Sequence, residues 1–269
     1  MKIILNKDKL KKLTHNEKNL GFVPTMGSIH MGHLSLVKKC ISECDKSIVS
    51  IFVNKPQFNK KNDYKKYPRT LKKDILILKK LKIDYLYLPL ENQIYPSGQN
   101  KNIKISSFEK KLCGKSRPGH FIAVVDVIDR FIKIVQPKRI YFGEKDMQQL
   151  KIIDHFIKKN HKDTRVIACK TIREKNGIAC SSRNLLLSLK QKAIASKVYK
   201  LLKNKKLILV KKKSNLIEIK KKIYKLGVNK IEYIQILDIN KLIKPYIKNN
   251  KYKIFIAYYL GKTRLIDNI

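Results

Sequence analysis

His30 and His33 stand three residues apart in the stretch Val23–Val37, VPTMGSIHMGHLSLV, with Gly27 and Gly32 beside them. The chain has six histidines and ten glycines in 269 residues, so two of each within seven positions single this stretch out. The residues before it read as a strand and those after it as a helix. The start of a helix offers unpaired N–H groups and the positive end of the peptide dipoles, which together hold phosphate. Gly27 and Gly32 would let the backbone approach such an anion closely, and the two imidazoles would donate hydrogen bonds to its oxygens. Two other places carry suitable groups. Lys145 lies in FGEKD, just after a predicted strand, and CSSR at 180–183 puts Ser181, Ser182 and Arg183 on one loop.

The elements that must position these groups follow from hydrophobic pattern. Buried strands are predicted at 19–25, 46–54, 84–90, 139–143 and 164–170. Helical spacing is predicted over 32–44, 69–83, 121–137 (stopped by Pro137) and 145–160. Strands alternating with helices imply right-handed βαβ units. The fold class is therefore α/β, with a doubly wound, Rossmann-like parallel sheet. Loops that carry motifs then fall at the carboxyl ends of the strands, where such sheets bind ligands. After about residue 171 the pattern changes to helices at 188–206 and 215–227 and strands at 230–239 and 253–269. Residues 1–171 thus read as one domain and 172–269 as a smaller C-terminal α+β domain. The lysine run VKKKSN at 210–215 reads as a solvated face.

Net charge is +42. Only eight of the 62 basic residues are arginine, the residue that reads phosphates and bases with a bidentate fork. The excess is lysine spread over the whole chain beside abundant Ile and Asn, a compositional bias rather than a nucleic-acid-reading surface. The field it creates should still draw in anionic small substrates. Five cysteines fit no zinc spacing and read as reduced, buried thiols. No stretch of about 18 apolar residues suggests a membrane span. A cytoplasmic protein without nucleic-acid or membrane partners is expected.

PTMGSIHMGHLSL at 24–36 resembles the signature of the pantothenate synthetase (pantoate–β-alanine ligase) family, a branch of the HxGH nucleotidyltransferases. SIVSIFVNKPQF (47–58), DYKKYPRTLKKD (63–74), YPSG (95–98) and RPGHF (117–121) are similar to further motifs of that family, in its order. So are IVQPKRIYFGEKDMQQL (134–150), TIREKNGIACSSRNLLLS (171–188) and GKTRLIDNI (261–269), and the likeness is thinnest over 189–250. The resemblance implies a two-step ligation on the way to coenzyme A. Pantoate's carboxylate attacks the α-phosphorus of ATP, giving a pantoyl adenylate and pyrophosphate. The amine of β-alanine then displaces AMP. Mg²⁺ and a homodimer are also implied. The first step sets an anion against a polyanion, so positioning and fixed positive charge should matter more than proton transfer.

The resemblance also implies residue roles. ATP would meet Met26, Gly27, Ser28, Ile29, His30, Met31, Gly32 and His33 at the first helix. It would meet Gly143, Glu144, Lys145 and Asp146 after the strand at 139–143, and Ile172, Cys180, Ser181, Ser182 and Arg183 beyond it. His30, His33, Lys145, Ser181, Ser182 and Arg183 would be catalytic, His33 acting mainly by charge and hydrogen bonding. Mg²⁺ would ride mainly on the phosphates, with Asp146 as its candidate carboxylate. Gln57 and Gln149 would hold pantoate's polar groups, with Asn54 and Arg117 alongside. Pro24, Met26, Phe52, Val124 and Val127 would form its apolar wall. Residues 1–171 would bind ATP and pantoate, and 172–269 would act as a lid.

Three positions depart from the family pattern: Pro56 comes one place late in NKPQF, Ala123 replaces a common glycine, and Cys180 replaces a bulkier residue. The +42 charge would also suit an RNA-binding, aminoacyl-tRNA-synthetase-like protein. Against that, six of the eight arginines (Arg69, Arg117, Arg139, Arg173, Arg183, Arg264) lie inside the motifs above, leaving few for a basic reading surface.

Overall fold

The computed structural model describes residues 1–211, 215–239 and 252–269, so residues 212–214 of the lysine run lie outside the described residues. Six strands form a parallel sheet: β1 (Lys2–Ile4), β2 (Leu20–Thr25), β3 (Lys46–Ile51), β4 (Tyr85–Tyr87), β5 (Arg139–Gly143) and β6 (Arg165–Cys169). Their order is β1-β4-β3-β2-β5-β6. Phe22 of β2 registers with Ile48 on one side and Ile140 on the other. These strands are apolar almost throughout because both faces are covered. The chain winds outward through β3 and β4, then returns to the far side of β2 for β5 and β6. The switch point lies between β2 and β5, and a crevice opens at their carboxyl ends.

The helices in this half are α1 (Lys7–Thr14), α2 (Met31–Glu43), α3 (Lys61–Lys66), α4 (Leu71–Lys80), α5 (Glu91–Ile94), α6 (Leu112–Ser116), α7 (His120–Val135) and α8 (Met147–Asn160). Helix α7 is apolar on nearly every side because it packs in the main core with Phe22, Ile48 and Tyr87. It ends at Gln136, which is left-handed (φ 50°), one residue before Pro137. Strand β1 and α1 have no counterpart in the sequence reading. Three residues are too short to show a period, and β1 is held by pairing with β4 and by Ile4, which is buried in the main core. Asn6 caps α1, its side-chain oxygen accepting from Asp8 N (2.8 Å) and Lys9 N (3.1 Å).

The C-terminal half holds α9 (Leu189–Lys211), α10 (Leu216–Lys225) and an antiparallel sheet of β7 (Lys230–Asp238), β8 (Tyr252–Leu260) and β9 (Thr263–Asn268). The single run read at 253–269 is a hairpin, turned at Gly261 (φ +57°). Alternation along these strands serves two cores. Tyr233, Leu237, Phe255 and Ile266 face the core of the first half. Ile234, Ile236, Ile254 and Ile256 face Val198, Leu202, Ile219 and Ile223 of α9 and α10. A sheet buried on both faces cannot shed either neighbour without exposing aliphatic side chains, at about 1.5–3 kcal/mol each. No described helix is long and apolar enough to cross a membrane.

Candidate active site

The turn between β2 and α2 is built from two left-handed residues, Gly27 (φ +76°) and Ser28 (φ 53°). Asp74 of α4, buried behind it, holds it in place. Its carboxylate accepts from Ser28 N (2.8 Å), Ile29 N (2.9 Å) and the Thr70 hydroxyl (3.0 Å). His30 then caps α2. Its Nδ1 accepts from Gly32 N (3.1 Å), while His33 Nδ1 accepts from His30 N (3.4 Å). A ring nitrogen that accepts carries no proton, so both imidazoles are the Nε2–H tautomer. The rings stack at 3.9 Å with an interplanar angle of 24°.

This geometry corrects three expectations. The amides at the helix start are not bare: Ser28 and Ile29 serve Asp74, and His30 and Gly32 serve the two rings. Nor is Gly32 needed for an anion's approach, because a Cβ there would lie 2.9 Å from His30 Cε1. The glycine makes room for the ring. The imidazoles are not cationic either. Burial, then Lys145, lowers the His30 pKa to about 4 against a smaller opposing effect of Asp146. Burial, then His30 and Lys145, holds His33 well below the ordinary value. Phosphate would meet two neutral Nε2–H donors.

A pH effect follows. Unfolded histidine titrates near 6.5 and His30 near 4, so between these values only the unfolded chain takes up the proton. Stability contributed here is complete above pH 6.5 and is lost as pH falls toward 4. The urea midpoint should therefore drop less steeply from pH 7 to 5 in a His30→Gln/His33→Gln variant than in the wild-type protein.

The crevice opens into a cavity of about 300 Å³. On its wall lie His30, Gly32, His33, Gly143, Lys145 and Asp146, together with Ile172, Cys180, Ser181, Ser182 and Arg183. Pro24, Met26, Phe52, Val124 and Val127 line the same space, with Asn54, Gln57, Arg117 and Gln149. Segments from five parts of the sequence thus meet on one cavity wall. Gly27, Ser28, Ile29, Met31 and Glu144 do not reach the cavity wall. The first three face Asp74 as the back of the turn. Met31 is 59% exposed, and the Glu144 carboxylate is 3.6 Å from Lys253.

Asn54 is committed to the scaffold. Its amide donates to Gln57 Oε1 (3.1 Å) and Ala123 O (3.2 Å), and its oxygen accepts from Tyr95 (2.7 Å). Gln57 is held further by its carbonyl, which accepts from Arg117 (3.0 Å) and His120 Nδ1 (2.8 Å). Pro56 is accommodated in the first turn of a 3₁₀ helix, Lys55–Gln57, where a missing N–H costs little. Ala123 is buried and off the cavity wall. Cys180 is buried beside Gly32, and desolvation raises its thiol pKa.

On the opposite loop, Ser182 donates to Ser28 O (3.2 Å), tying this loop to the histidine turn. Ser181 Oγ accepts from Arg183 N (3.3 Å). The Arg183 guanidinium is 2.9 Å from Asp63 of α3, itself on the cavity wall. Arg117 lies within the field of Arg183 and Arg264. Burial first, then these two cations, lowers its pKa to about 10. Asp74 escaped the sequence reading although it ends the quoted motif DYKKYPRTLKKD. Nothing in its local pattern points to partners 45 and 46 residues away.

A sheet reversing direction at an HxGH turn, with a lysine and a Ser-Ser-Arg loop facing that turn, defines a nucleotide-handling α/β enzyme. The family model for pantoate–β-alanine ligase matches residues 2–269. The pantothenate synthetase of Thermodesulfovibrio yellowstonii is 41% identical over 264 residues, covering 96% of this chain and 94% of that protein. Among solved structures, pantoate–β-alanine ligase from Francisella tularensis, complexed with β-γ ATP and β-alanine, superposes with a TM-score of 0.85. It is 40% identical, covering 100% of this chain and 97% of that one. Pantothenate synthetase from Thermus thermophilus superposes with a TM-score of 0.90 at 30% identity, covering 100% and 99%. The chain belongs to the pantoate–β-alanine ligase family, and with it to the ATP-dependent ligases that make pantothenate.

Proposed function

We propose that the cavity joins pantoate to β-alanine through a pantoyl adenylate. A carboxylate oxygen of pantoate attacks the α-phosphorus, the bond to the β-phosphate oxygen breaks, and pyrophosphate leaves with the electron pair. The amine of β-alanine then attacks the acyl carbon and AMP departs. The observation that carries this reading is the convergence on one chamber of two neutral Nε2–H donors, Lys145 and the 181–183 loop. Donors fixed before the reaction stabilise charge as it develops without reorganising. His30, His33, Lys145, Ser181, Ser182 and Arg183 are assigned to the phosphates. Gln57 and Gln149, with the Pro24–Phe52–Val124–Val127 wall, are assigned to pantoate.

His33 is assigned hydrogen-bond donation and no base role. Its Nδ1 is occupied by the His30 amide and its Nε2 already carries a proton. The amine must therefore arrive as free base, and activity should rise with pH as β-alanine deprotonates.

No three described His, Cys, Asp or Glu side chains form a metal cage. Magnesium carried on nucleotide phosphates asks the protein for only one or two carboxylates. Asp146, half-exposed on the cavity wall, fits that demand. Bound there, the ion would neutralise phosphate charge. Residues 172–269 are assigned the lid, and a homodimer is expected. The lysine excess is assigned no nucleic-acid partner.

The test is partial-reaction kinetics. ATP and pantoate without β-alanine should release pyrophosphate in an amount close to that of the enzyme, and AMP should appear in multiple turnovers only when β-alanine is added. Pyrophosphate release that needs β-alanine from the start would exclude the adenylate.

A further inference from the structure

We propose that Asn268 is a positioning residue for Lys145, so that the C-terminal sheet completes the ATP site; this rests on the assignment of Lys145 to the phosphates.

Lys145 stands in a three-residue 3₁₀ turn, Glu144–Asp146, that has no side-chain cap. So short a turn satisfies little of its own backbone. The Asn268 amide supplies what is missing: Nδ2 donates to Glu144 O and to Lys145 O, each at 2.8 Å. One side chain thus spans two consecutive carbonyls of the turn that aims the lysine. The amide is braced in return. Its Oδ1 accepts from Lys253 Nζ (2.7 Å), and Lys253 also approaches the Glu144 carboxylate at 3.6 Å. Asn268 is 3% exposed, and its own carbonyl accepts from Arg173 Nη2 (3.2 Å).

Only a carboxamide of this length offers two donors and one acceptor in this arrangement. Aspartate, nearly identical in shape, would set a carboxylate against two carbonyl oxygens. Alanine would leave both carbonyls and the Lys253 ammonium without this partner. Asn268 touches the turn rather than the cavity's reacting region, so it acts through Lys145. Its partners lie 123 and 124 residues earlier in the chain.

The experiment is a double-mutant cycle on steady-state pyrophosphate release with saturating ATP, pantoate and β-alanine, using N268A, N268D and K145A. A displacement of about 1 Å at such a group can cost about 100-fold, so kcat should fall by that order in N268D and somewhat less in N268A. In the K145A background the Asn268 changes should add less than about threefold, because they act through a group already removed. Full multiplication of the two losses would overturn the proposal, as would wild-type kcat in N268D. If K145A keeps wild-type activity, the assignment of Lys145 itself fails, which is a separate result. Should the Asn268 variants not fold, K253M, which unbraces the amide and also frees the Glu144 carboxylate of the same turn, decides by the same cycle: a loss seen in wild type and absent in K145A supports the proposal, and equal losses in both overturn it.

Discussion

Replacing His33 by alanine should slow pyrophosphate release by about 10²–10³-fold, the usual consequence of removing one preorganised donor from developing charge. Replacement by glutamine should recover much of that loss, whereas asparagine should recover little. Both expectations come from the tautomer. The Nδ1 of His33 faces the His30 amide, which leaves Nε2–H as the working group. Glutamine can carry an N–H to roughly the Nε2 position, and asparagine reaches only to that of Nδ1. A cationic role would behave differently, because no neutral amide would restore it. Single-turnover measurement with ATP and pantoate decides the matter, and near-normal rates in His33→Asn would refute the assigned geometry. The stacked partner sharpens the case. Two imidazolium rings at 3.9 Å in a buried chamber with Lys145 would repel strongly, so neutrality is the stable state of the pair.

Asp74→Ala should be the most damaging single change to the scaffold. It removes a buried carboxylate that holds two backbone N–H groups and a hydroxyl. Hydrogen bonds to a charged acceptor contribute about 1.5–3 kcal/mol each, but bonds sharing one side chain do not add in full, so a loss of about 3–5 kcal/mol is expected. Equilibrium denaturation would measure it. The functional effect should exceed what lower stability explains. Ser28 and Ile29 are the backbone on which His30 is mounted, and freeing them unfixes the start of α2. Calorimetry at a temperature where the variant remains folded should show nucleotide affinity lowered by tenfold or more, about 1.4 kcal/mol. Unchanged affinity would mean that the turn holds its shape without Asp74. Asp74→Asn, which keeps one acceptor oxygen, should fall between the two.

The sequence by itself determined the strand–helix alternation and the segments whose loops carry the candidate groups. These depend on local period and on motif order. A strand buried on both faces must be apolar throughout, and a crossover helix must repeat near every fourth residue, so short windows are enough to show them. The same windows revealed the histidine turn, Lys145 and the Ser-Ser-Arg loop, because each group's chemistry is visible in its residue type. Tertiary structure decided how those groups work. Neutral imidazoles follow from burial and from amides that donate to Nδ1, and Gly32 serves the ring that lies over it. Asp74 and Asn268 are a common acid and a common amide whose meaning lies in carbonyls and amides 45 to 124 residues away. Such contacts leave no periodic trace, since one side chain meeting a distant backbone imposes no pattern on its neighbours. Strand β1 was hidden for the same reason: its three residues form a strand only because β4 is there to pair with them.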